Sequence, residues 1–225
     1  MPADLWSQFD AAPLALTLRV ALVATLLALL LGIALGWVFA RTRLPGRGLL
    51  EAICMLPLVL PPTVLGYGIL VLTGRRSALG AWLREHFDYT LIFNWHGAVV
   101  ASTLVALPLV LKGASSAFSQ VDRNLEAAAR TLRQSRWSTF VRVTLPLAWP
   151  GILAGTLLAF ARAMGEFGAS LMVAGSIPGQ TQTASMAIYD AVQAGRDDAA
   201  LVLVIVTSVI SITVLVASNR YFSLR

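Results

Sequence analysis

The sequence is poor in the residue types that build most metal sites. Its 225 residues include one cysteine, Cys54, and two histidines, His86 and His96. Cys54 has no companion thiol in the chain for a disulfide or a metal. Because it lies inside an apolar run, we interpret it as a packing residue. The histidines form no HExxH or comparable ligand spacing. We therefore expect no metal bound by this chain.

Sequence motifs for catalysis are also missing. The chain has no GxxxxGK[ST] phosphate-binding loop, so it cannot cradle the phosphates of ATP in that way. It has no GxSxG motif and no paired acidic constellation that would indicate an enzyme. We expect no catalytic residues and no bound cofactor, and any ATP and Mg²⁺ would be used by another subunit.

Charge is scarce throughout the chain. Only 12% of residues are charged, 57% are hydrophobic and the mean hydropathy is +0.76, far from the usage of soluble domains. This composition is typical of an integral membrane protein. The length suffices for about five or six spans of roughly 20 residues, with no room for a separate soluble domain. We predict a single transmembrane domain over residues 1–225.

Long apolar runs define the expected spans. Four runs are clear, at residues 14–40, 49–73, 91–111 and 199–217. A fifth, at 145–167, carries Arg162 and Glu166 near its far end but has the length and composition of a span. We therefore predict an all-α integral membrane protein with about five transmembrane helices.

Positive charges predict the orientation, because cytoplasmic loops carry an excess of lysine and arginine. They follow the run at 14–40, lie between the runs at 91–111 and 145–167, and end the chain (Arg41, Arg43, Arg47; Lys112, Arg123, Arg130, Arg133, Arg136, Arg142; Arg220, Arg225). This pattern predicts an external N-terminus and a cytoplasmic C-terminus. It also explains the basic pI near 10.4 without a nucleic-acid partner.

The segment 122–151 is a basic, amphipathic island between two spans. Glu126 and Arg130 have helical i,i+4 spacing, which predicts a helix over about 123–133, followed by a turn at 134–136. A second helix is expected from Ser138, with Leu145-Pro146 marking entry into the next span. Several apolar side chains have no lipid to cover them and indicate docking to another protein (Leu125, Ala128, Ala129, Leu132, Phe140). The alternative is a solvated loop whose arginines only follow the charge rule.

The island resembles the cytoplasmic coupling loop of ABC importer permeases, whose pattern is EAA, three residues, Gly, nine residues, Ile, one residue, Leu-Pro. Aligned on Leu145-Pro146, Val143 takes the Ile place, Arg133 takes the Gly place and Ala127 begins the EAA places. The sequence departs from the pattern at two places: Arg133 stands where the pattern has glycine, and Glu126 stands one position before the place of the pattern's glutamate. The resemblance implies a coupling loop at about 113–144 and these ATPase-coupling residues: Glu126, Ala127, Ala128, Ala129, Arg130, Leu132, Arg133, Val143, Leu145 and Pro146.

Three further stretches resemble the molybdate branch of these permeases, and less closely the sulfate and tungstate branches. They are LPLVLPPTVLGYGIL at 56–70, ARAMGEFGASLMVAGSIPGQTQT at 161–183 and AIYDAVQ at 187–193. The resemblance implies a type I ABC importer permease fold in a bacterial inner membrane. It also implies a second copy of the chain, a cytoplasmic ATPase dimer and an external oxyanion-binding protein as partners.

Residues of these stretches are candidates for a transport gate. Pro57, Pro61 and Pro62 are expected to bend the second span, and Thr63 follows them. The alternative is a kink that only serves packing. Arg162 and Glu166 are one turn apart and can neutralise each other, which we favour over a direct contact with substrate.

The stretch 168–196 is too short and too interrupted to span, and we predict a re-entrant or surface segment on the outer side. Ser170, Ser176, Thr181, Gln182 and Thr183 offer weak hydrogen-bond donors to an oxyanion. A rival hypothesis is a stand-alone channel or secondary transporter, whose coupling-ion site would have to use the few ionisable residues in the spans (Arg19, Glu51, Arg162, Glu166). Sulfate or tungstate as cargo also stays open.

Overall fold

The computed structural model describes residues 10–42 and 45–223, and side chains up to Val214 together with that of Val216. Within these residues every regular element is helical, which confirms the all-α prediction. The helices are α1 (Ala12–Arg41), α2 (Arg47–Val59), α3 (Pro62–Thr73), α4 (Ala78–Phe87), α5 (Trp95–Gln120), α6 (Arg123–Thr131), α7 (Arg136–Thr139), α8 (Leu145–Met164), α9 (Gly168–Ala174), α10 (Ala184–Gln193) and α11 (Asp197–Ser223).

Four helical stretches of the described chain are long and apolar enough to cross a membrane. They are Ala12–Arg41, Trp95–Gln120, Arg136–Met164 and Asp197–Val214. The helices α2 and α3 pass the same test together, but they are bent by 112° at the break between them. Counting this bent pair as one broken span gives the five spans that the sequence predicts.

The break between α2 and α3 follows from the Pro61-Pro62 pair. A residue that precedes proline is driven out of the helical region, and Leu60 and Pro61 both precede one. Both are extended, with ψ of 144° at Leu60 and 137° at Pro61. Pro57, by contrast, lies inside α2 without ending it. The predicted bend is therefore confirmed, and two consecutive extended residues make it sharper than a kink.

The core lies where α5 packs between α1 and α8. Small residues line the contacts, and Ala21, Ala24, Ala106 and Ala159 are fully buried. A Cβ atom added to Gly155 would lie 2.9 Å from the carbonyl oxygen of Leu109, so only glycine allows this approach of the α5 and α8 backbones. Helix pairs in membranes gain their stability from such close packing.

Two element boundaries differ from those predicted. α5 continues to Gln120, so the connection to α6 begins later than the predicted loop start at residue 113. The second helix of the island begins at Arg136 instead of Ser138, and it runs without interruption to Met164. The helix thus passes continuously through Leu145-Pro146, where the next span is expected to begin.

A π-helical turn at Phe140–Thr144 explains how the helix passes through Pro146. A proline ring in a helix clashes with the carbonyl group four residues earlier. In a π-helical turn each hydrogen bond joins residues five positions apart instead of four. Here the Leu145 N–H donates to the carbonyl oxygen of Phe140. The widened turn immediately before Pro146 gives the backbone room to continue.

Candidate functional site

The predicted coupling helix corresponds to α6, which ends two residues earlier than expected. Both short helices of the island begin at capping residues. The Asp122 carboxylate accepts a 2.8 Å hydrogen bond from the Asn124 N–H, and the Ser135 hydroxyl accepts one of 3.1 Å from the Ser138 N–H. Such caps satisfy backbone donors that a short helix would otherwise leave unpaired.

Glu126 fixes α6 to the rest of the bundle. It is buried, and its Oε1 atom lies 2.8 Å from Nη2 of Arg41 at the end of α1. The same oxygen accepts a 2.7 Å hydrogen bond from the Thr144 hydroxyl in the π-helical turn. Glu126 therefore joins three elements of its own chain, which replaces the predicted helical pair with Arg130.

Nothing local in the sequence indicates this anchor. Arg41 and Glu126 are 85 positions apart, and the charge pattern assigns Arg41 only to the basic flank of the first span. Arg41 also donates a 3.2 Å hydrogen bond to the carbonyl oxygen of Val121, beside the start of α6. The one sequence signal is a glutamate in a segment otherwise rich in arginine, since such a residue needs a cationic partner when it is buried.

Arg133 adopts the left-handed backbone conformation, with φ of +58°. This is the position where the coupling-loop pattern has glycine, the residue that enters this region without steric cost. The Arg133 N–H donates to the Arg130 carbonyl oxygen, which closes the last turn of α6. Arg133 thus adopts a backbone conformation that glycine enters more easily.

An apolar surface lies open next to this turn. Leu132 is 76% exposed and Trp137 is 72% exposed, and Leu125 is also exposed. Ala128 is exposed, whereas Ala129 is half-buried. We name Leu125, Ala128, Leu132 and Trp137 the coupling surface.

Phe140 does not belong to this surface. It is half-buried, and its ring packs against those of Trp37, Phe118 and Trp137, with centroids 5.7 to 6.0 Å apart. The chain itself therefore covers Phe140, and its predicted need for another protein is corrected. The other predicted coupling residues divide by position: Ala127 and Arg130 are exposed, Val143 and Leu145 are half-buried, and Pro146 is exposed on the helix that follows.

The gate candidates lie together at the other end of α8. α3 begins at Pro62, and a Cβ atom added to Gly168 would lie 2.8 Å from the Pro62 Cβ. Gly66, one turn further along α3, faces Ala169 and Met172 of α9 at similarly close range. The broken span and the segment after α8 are thus in direct contact, while Pro61 and Thr63 are exposed beside this contact.

Arg162 and Glu166 form the expected ion pair. Nη1 of Arg162 lies 3.0 Å from Oε2 of Glu166, whose side chain is 1% exposed. The other carboxylate oxygen accepts a 3.0 Å hydrogen bond from the Ala169 N–H in the first turn of α9. Glu166 therefore neutralises Arg162 and also satisfies a buried backbone donor.

The candidate oxyanion donors are mostly engaged inside the chain. Ser176 and Gln182 both donate to the Asp190 carboxylate, and the Thr181 hydroxyl donates to the Gly175 carbonyl oxygen. Ser170 and Thr183 are buried, and their hydroxyl groups have no hydrogen-bond partner among the described residues. In this conformation Ser170 is therefore closed off from an open pathway.

The surface segment after α8 consists of α9, a turn and α10. The Ala184 N–H at the start of α10 donates a 2.7 Å hydrogen bond to the Thr17 hydroxyl near the start of α1. Arg19, two residues further along, places its guanidinium 4.1 Å from the centroid of the Trp95 ring, which stabilises its charge within a span.

The chain is similar to known permease proteins. It is 43% identical over 204 residues to the molybdenum transport system permease protein ModB of Escherichia coli (strain K12), which covers 90% of this chain and 89% of the relative. It is 40% identical to the putative molybdenum transport system permease protein YvgM of Bacillus subtilis (strain 168), covering 96% and 95%. It is 36% identical to the sulfate transport system permease protein CysW of Synechocystis, covering 90% and 73%.

Solved structures share the fold at low sequence identity. A chain of the MetNI methionine ABC transporter, in an inward-facing conformation, matches with a TM-score of 0.71 at 17% identity, covering 100% of this chain and 99% of that one. A chain of a bacterial alginate ABC transporter, in complex with an alginate-bound periplasmic protein, matches with a TM-score of 0.77 at 16% identity, covering 98% and 82%. The type I ABC importer permease fold is thereby confirmed.

Residues 28–225 match the family described as binding-protein-dependent transport system inner membrane component. This match includes the broken span, the coupling helix and the ion pair at the end of α8. Relatives in the family are transport permeases that work within ABC importers. The chain is a member of this family, and hence a membrane-embedded permease of the ABC importer type.

Proposed function

We propose that this chain forms the translocation pathway of an ATP-driven molybdate importer, as a homodimer in a bacterial inner membrane. In this proposal its N-terminus lies outside and its C-terminus lies in the cytoplasm. A cytoplasmic ATPase dimer binds ATP and Mg²⁺, and the permease itself holds neither cofactor nor catalytic residue. An external binding protein delivers the oxyanion.

The observation that carries the coupling role is the open coupling surface beside an anchored helix. Leu132 and Trp137 expose large apolar areas that a partner protein would bury favourably. Glu126 holds the same helix to α1 and to the base of α8. A movement imposed by the ATPase on α6 would therefore reach the spans through fixed contacts instead of being lost in a flexible loop.

The contact between Pro62 and Gly168 supports a gate at the far end of α8. There the broken span meets the Arg162–Glu166 pair and the buried Ser170. Opening would require α3 to move away from α9, which would expose Ser170 to the pathway. Two discrete arrangements of this contact, biased by ATP and by the loaded binding protein, would give alternating access.

Molybdate is the proposed cargo because relatives named as molybdenum permeases cover nine-tenths of this chain at 43% identity. The sulfate permease relative at 36% identity makes sulfate the second candidate, with tungstate as a chemically similar third. All three are tetrahedral dianions, and the described part of the chain offers no donor arrangement that distinguishes them. Selection would then be made by the binding protein.

The test is uptake of labelled oxyanion into proteoliposomes that contain the permease and its ATPase, with a binding protein loaded with molybdate, tungstate or sulfate. Uptake that requires ATP and the loaded binding protein supports the importer and ranks the cargo. Uptake without any ATPase would overturn the proposal in favour of a secondary transporter or channel. Permease with Leu132→Ser provides the coupling control, since it should remain inserted while losing ATP-dependent uptake.

A further inference from the structure

A cationic cavity lies between the end of α1 and the island helices. Its volume is about 310 Å³, and four arginines line it together with Glu126 (Arg41, Arg123, Arg130, Arg136). Glu126 already neutralises Arg41 at 2.8 Å. The other three guanidinium groups give the cavity an excess of positive charge that an anionic ligand would neutralise.

Arg41 lines this cavity, and one of its donors has no partner in the described part of the chain. Its side chain is 10% exposed, and its Nη2 atom bonds to Glu126 and to the Val121 carbonyl oxygen. Its Nε–H has no hydrogen-bond partner among the described residues. A buried guanidinium donor without a partner is costly, so the contacts of Arg41 within the described chain leave part of its hydrogen-bonding capacity unused.

An apolar groove adjoins the cavity on the outside of the bundle. It has a volume of about 600 Å³ and is lined by α1 side chains, including Leu30, Ile33 and Ala34, and by the start of the long helix. Trp37, Arg136 and Phe140 line both the groove and the cationic cavity. The two spaces are therefore neighbours that share these side chains, with arginines around one and apolar side chains around the other.

We propose that the cavity and groove together form a binding site for an anionic phospholipid. The headgroup phosphate lies against Arg41 and Arg136, and an acyl chain lies along Ile33 and Ala34 of α1. Trp37 lines both spaces, as an aromatic residue does where the hydrocarbon core meets the headgroups. The cationic excess selects an anionic headgroup over a zwitterionic one.

The site gives the lipid a mechanical role. Its headgroup touches α1 through Arg41 and the island through Arg136, the two parts that the Glu126 anchor also joins. A bound lipid therefore adds a second connection between the end of α1 and the base of the long helix, beside the anchor that holds α6. This role is independent of the cargo, so it stands or falls separately from molybdate transport.

Native mass spectrometry of the full chain, extracted from membranes that contain phosphatidylglycerol and phosphatidylcholine, tests the site. The two informative variants are Arg136→Gln, which removes one cationic contact, and Ala34→Trp, which fills the exposed groove without entering the core. Their matched controls are Arg142→Gln on the same long helix and Leu26→Trp on the exposed side of α1. Circular dichroism of each variant checks that its helix content is unchanged.

Phosphatidylglycerol should be retained by the parent chain and by both controls. Arg136→Gln should weaken its retention about fivefold, the effect of one arginine near a lipid headgroup, and Ala34→Trp should abolish it. Equal retention in all four variants would overturn the proposal. Retention of inorganic phosphate or molybdate that survives Ala34→Trp would also overturn it, because the site would then hold a free anion.

Discussion

Two glutamates are buried at opposite ends of the long helix that contains α8, and each pairs with an arginine. Glu166 lies two residues beyond the end of this helix, pairs with Arg162 in its last turn, and accepts a hydrogen bond from the start of α9. Glu126 pairs with Arg41, 85 positions away, and bonds to the base of the long helix through Thr144. One carboxylate thus serves a local turn, while the other holds separate parts of the fold together.

The difference shows that the same kind of ion pair has a different structural role when its partners are near or far apart in the sequence. A local pair forms wherever the helix forms, so its loss leaves the surrounding elements in place. A long-range pair determines whether elements meet at all. The strongest test of the comparison is therefore to break the long-range pair first.

Glu126→Ala should have the largest effect. It leaves the buried Arg41 guanidinium without its carboxylate, which costs about 3–5 kcal/mol for a buried pair. We expect α6 to detach from α1 and ATP-dependent uptake to be lost, while the spans stay inserted. Amide hydrogen exchange over residues 123–131, measured alongside uptake, checks both effects. Normal protection of these amides would show that Glu126 is not the anchor.

Glu166→Gln should have the next largest effect and lower the free energy of unfolding by about 2 kcal/mol, because Arg162 loses its charged partner. The loss is smaller than at Glu126 because the Arg162 side chain is 35% exposed, which weakens the interaction between the two charges. Adding Arg162→Met should recover stability, since the amide oxygen introduced at position 166 still accepts from the Ala169 N–H in that background.

A matched double variant sharpens the second test. Replacing Arg162 and Glu166 together by leucine should not recover stability, because the Ala169 N–H would then be buried without an acceptor. Thermal unfolding in detergent ranks the three variants. Full recovery by the leucine pair would mean that the charge pair alone matters and the hydrogen bond to α9 does not.

Leu132→Ser should weaken binding of the ATPase about tenfold, the loss expected for one large apolar side chain at an interface, with unchanged thermal stability. Co-purification of the ATPase at several concentrations measures the change. Leu22→Ser is the matched control, since Leu22 is also exposed but lies on α1 away from the island and outside the apolar groove. Equal loss in both variants would argue against a specific coupling surface.

Arg133→Gly should have the smallest effect and the opposite sign. At φ of +58°, glycine removes the steric cost of the left-handed conformation, worth about 1 kcal/mol. Protection of the α6 amides should rise slightly without loss of uptake. Gln134→Gly, one residue later, is the control and should lower protection. A destabilised Arg133→Gly variant would indicate that the arginine side chain makes a contribution larger than the backbone cost.

The sequence predicted the spans well because twenty-residue apolar runs admit few alternatives in a membrane. It also predicted the bend, since Pro61 and Pro62 act through local backbone sterics, and it predicted the Arg162–Glu166 pair, whose spacing is helical. The coupling helix and its turn followed from a pattern of neighbouring residues. All of these features are encoded within a few residues of one another.

What the sequence did not predict depends on distant partners. The link from Glu126 to Arg41 joins segments whose meeting is decided by the packing of α1 on α5. The burial of Ser170 and Phe140 likewise depends on neighbours from other helices. The continuity of the helix through Pro146 was not predicted for a different reason: a proline inside a helix usually disrupts it, and the π-helical turn that accommodates Pro146 has no recognised sequence signal.

That turn has a consequence for how force travels. Because it lets one helix run unbroken through all 29 residues from Arg136 to Met164, the helix is a rod about 43 Å long. A tilt of about 5° at its base would carry its far tip sideways by roughly 4 Å over that length. A displacement of that size is comparable to the width of a side chain, so in the proposed mechanism a small angular change at the end near α6 would suffice to separate Pro62 from Gly168 at the other end.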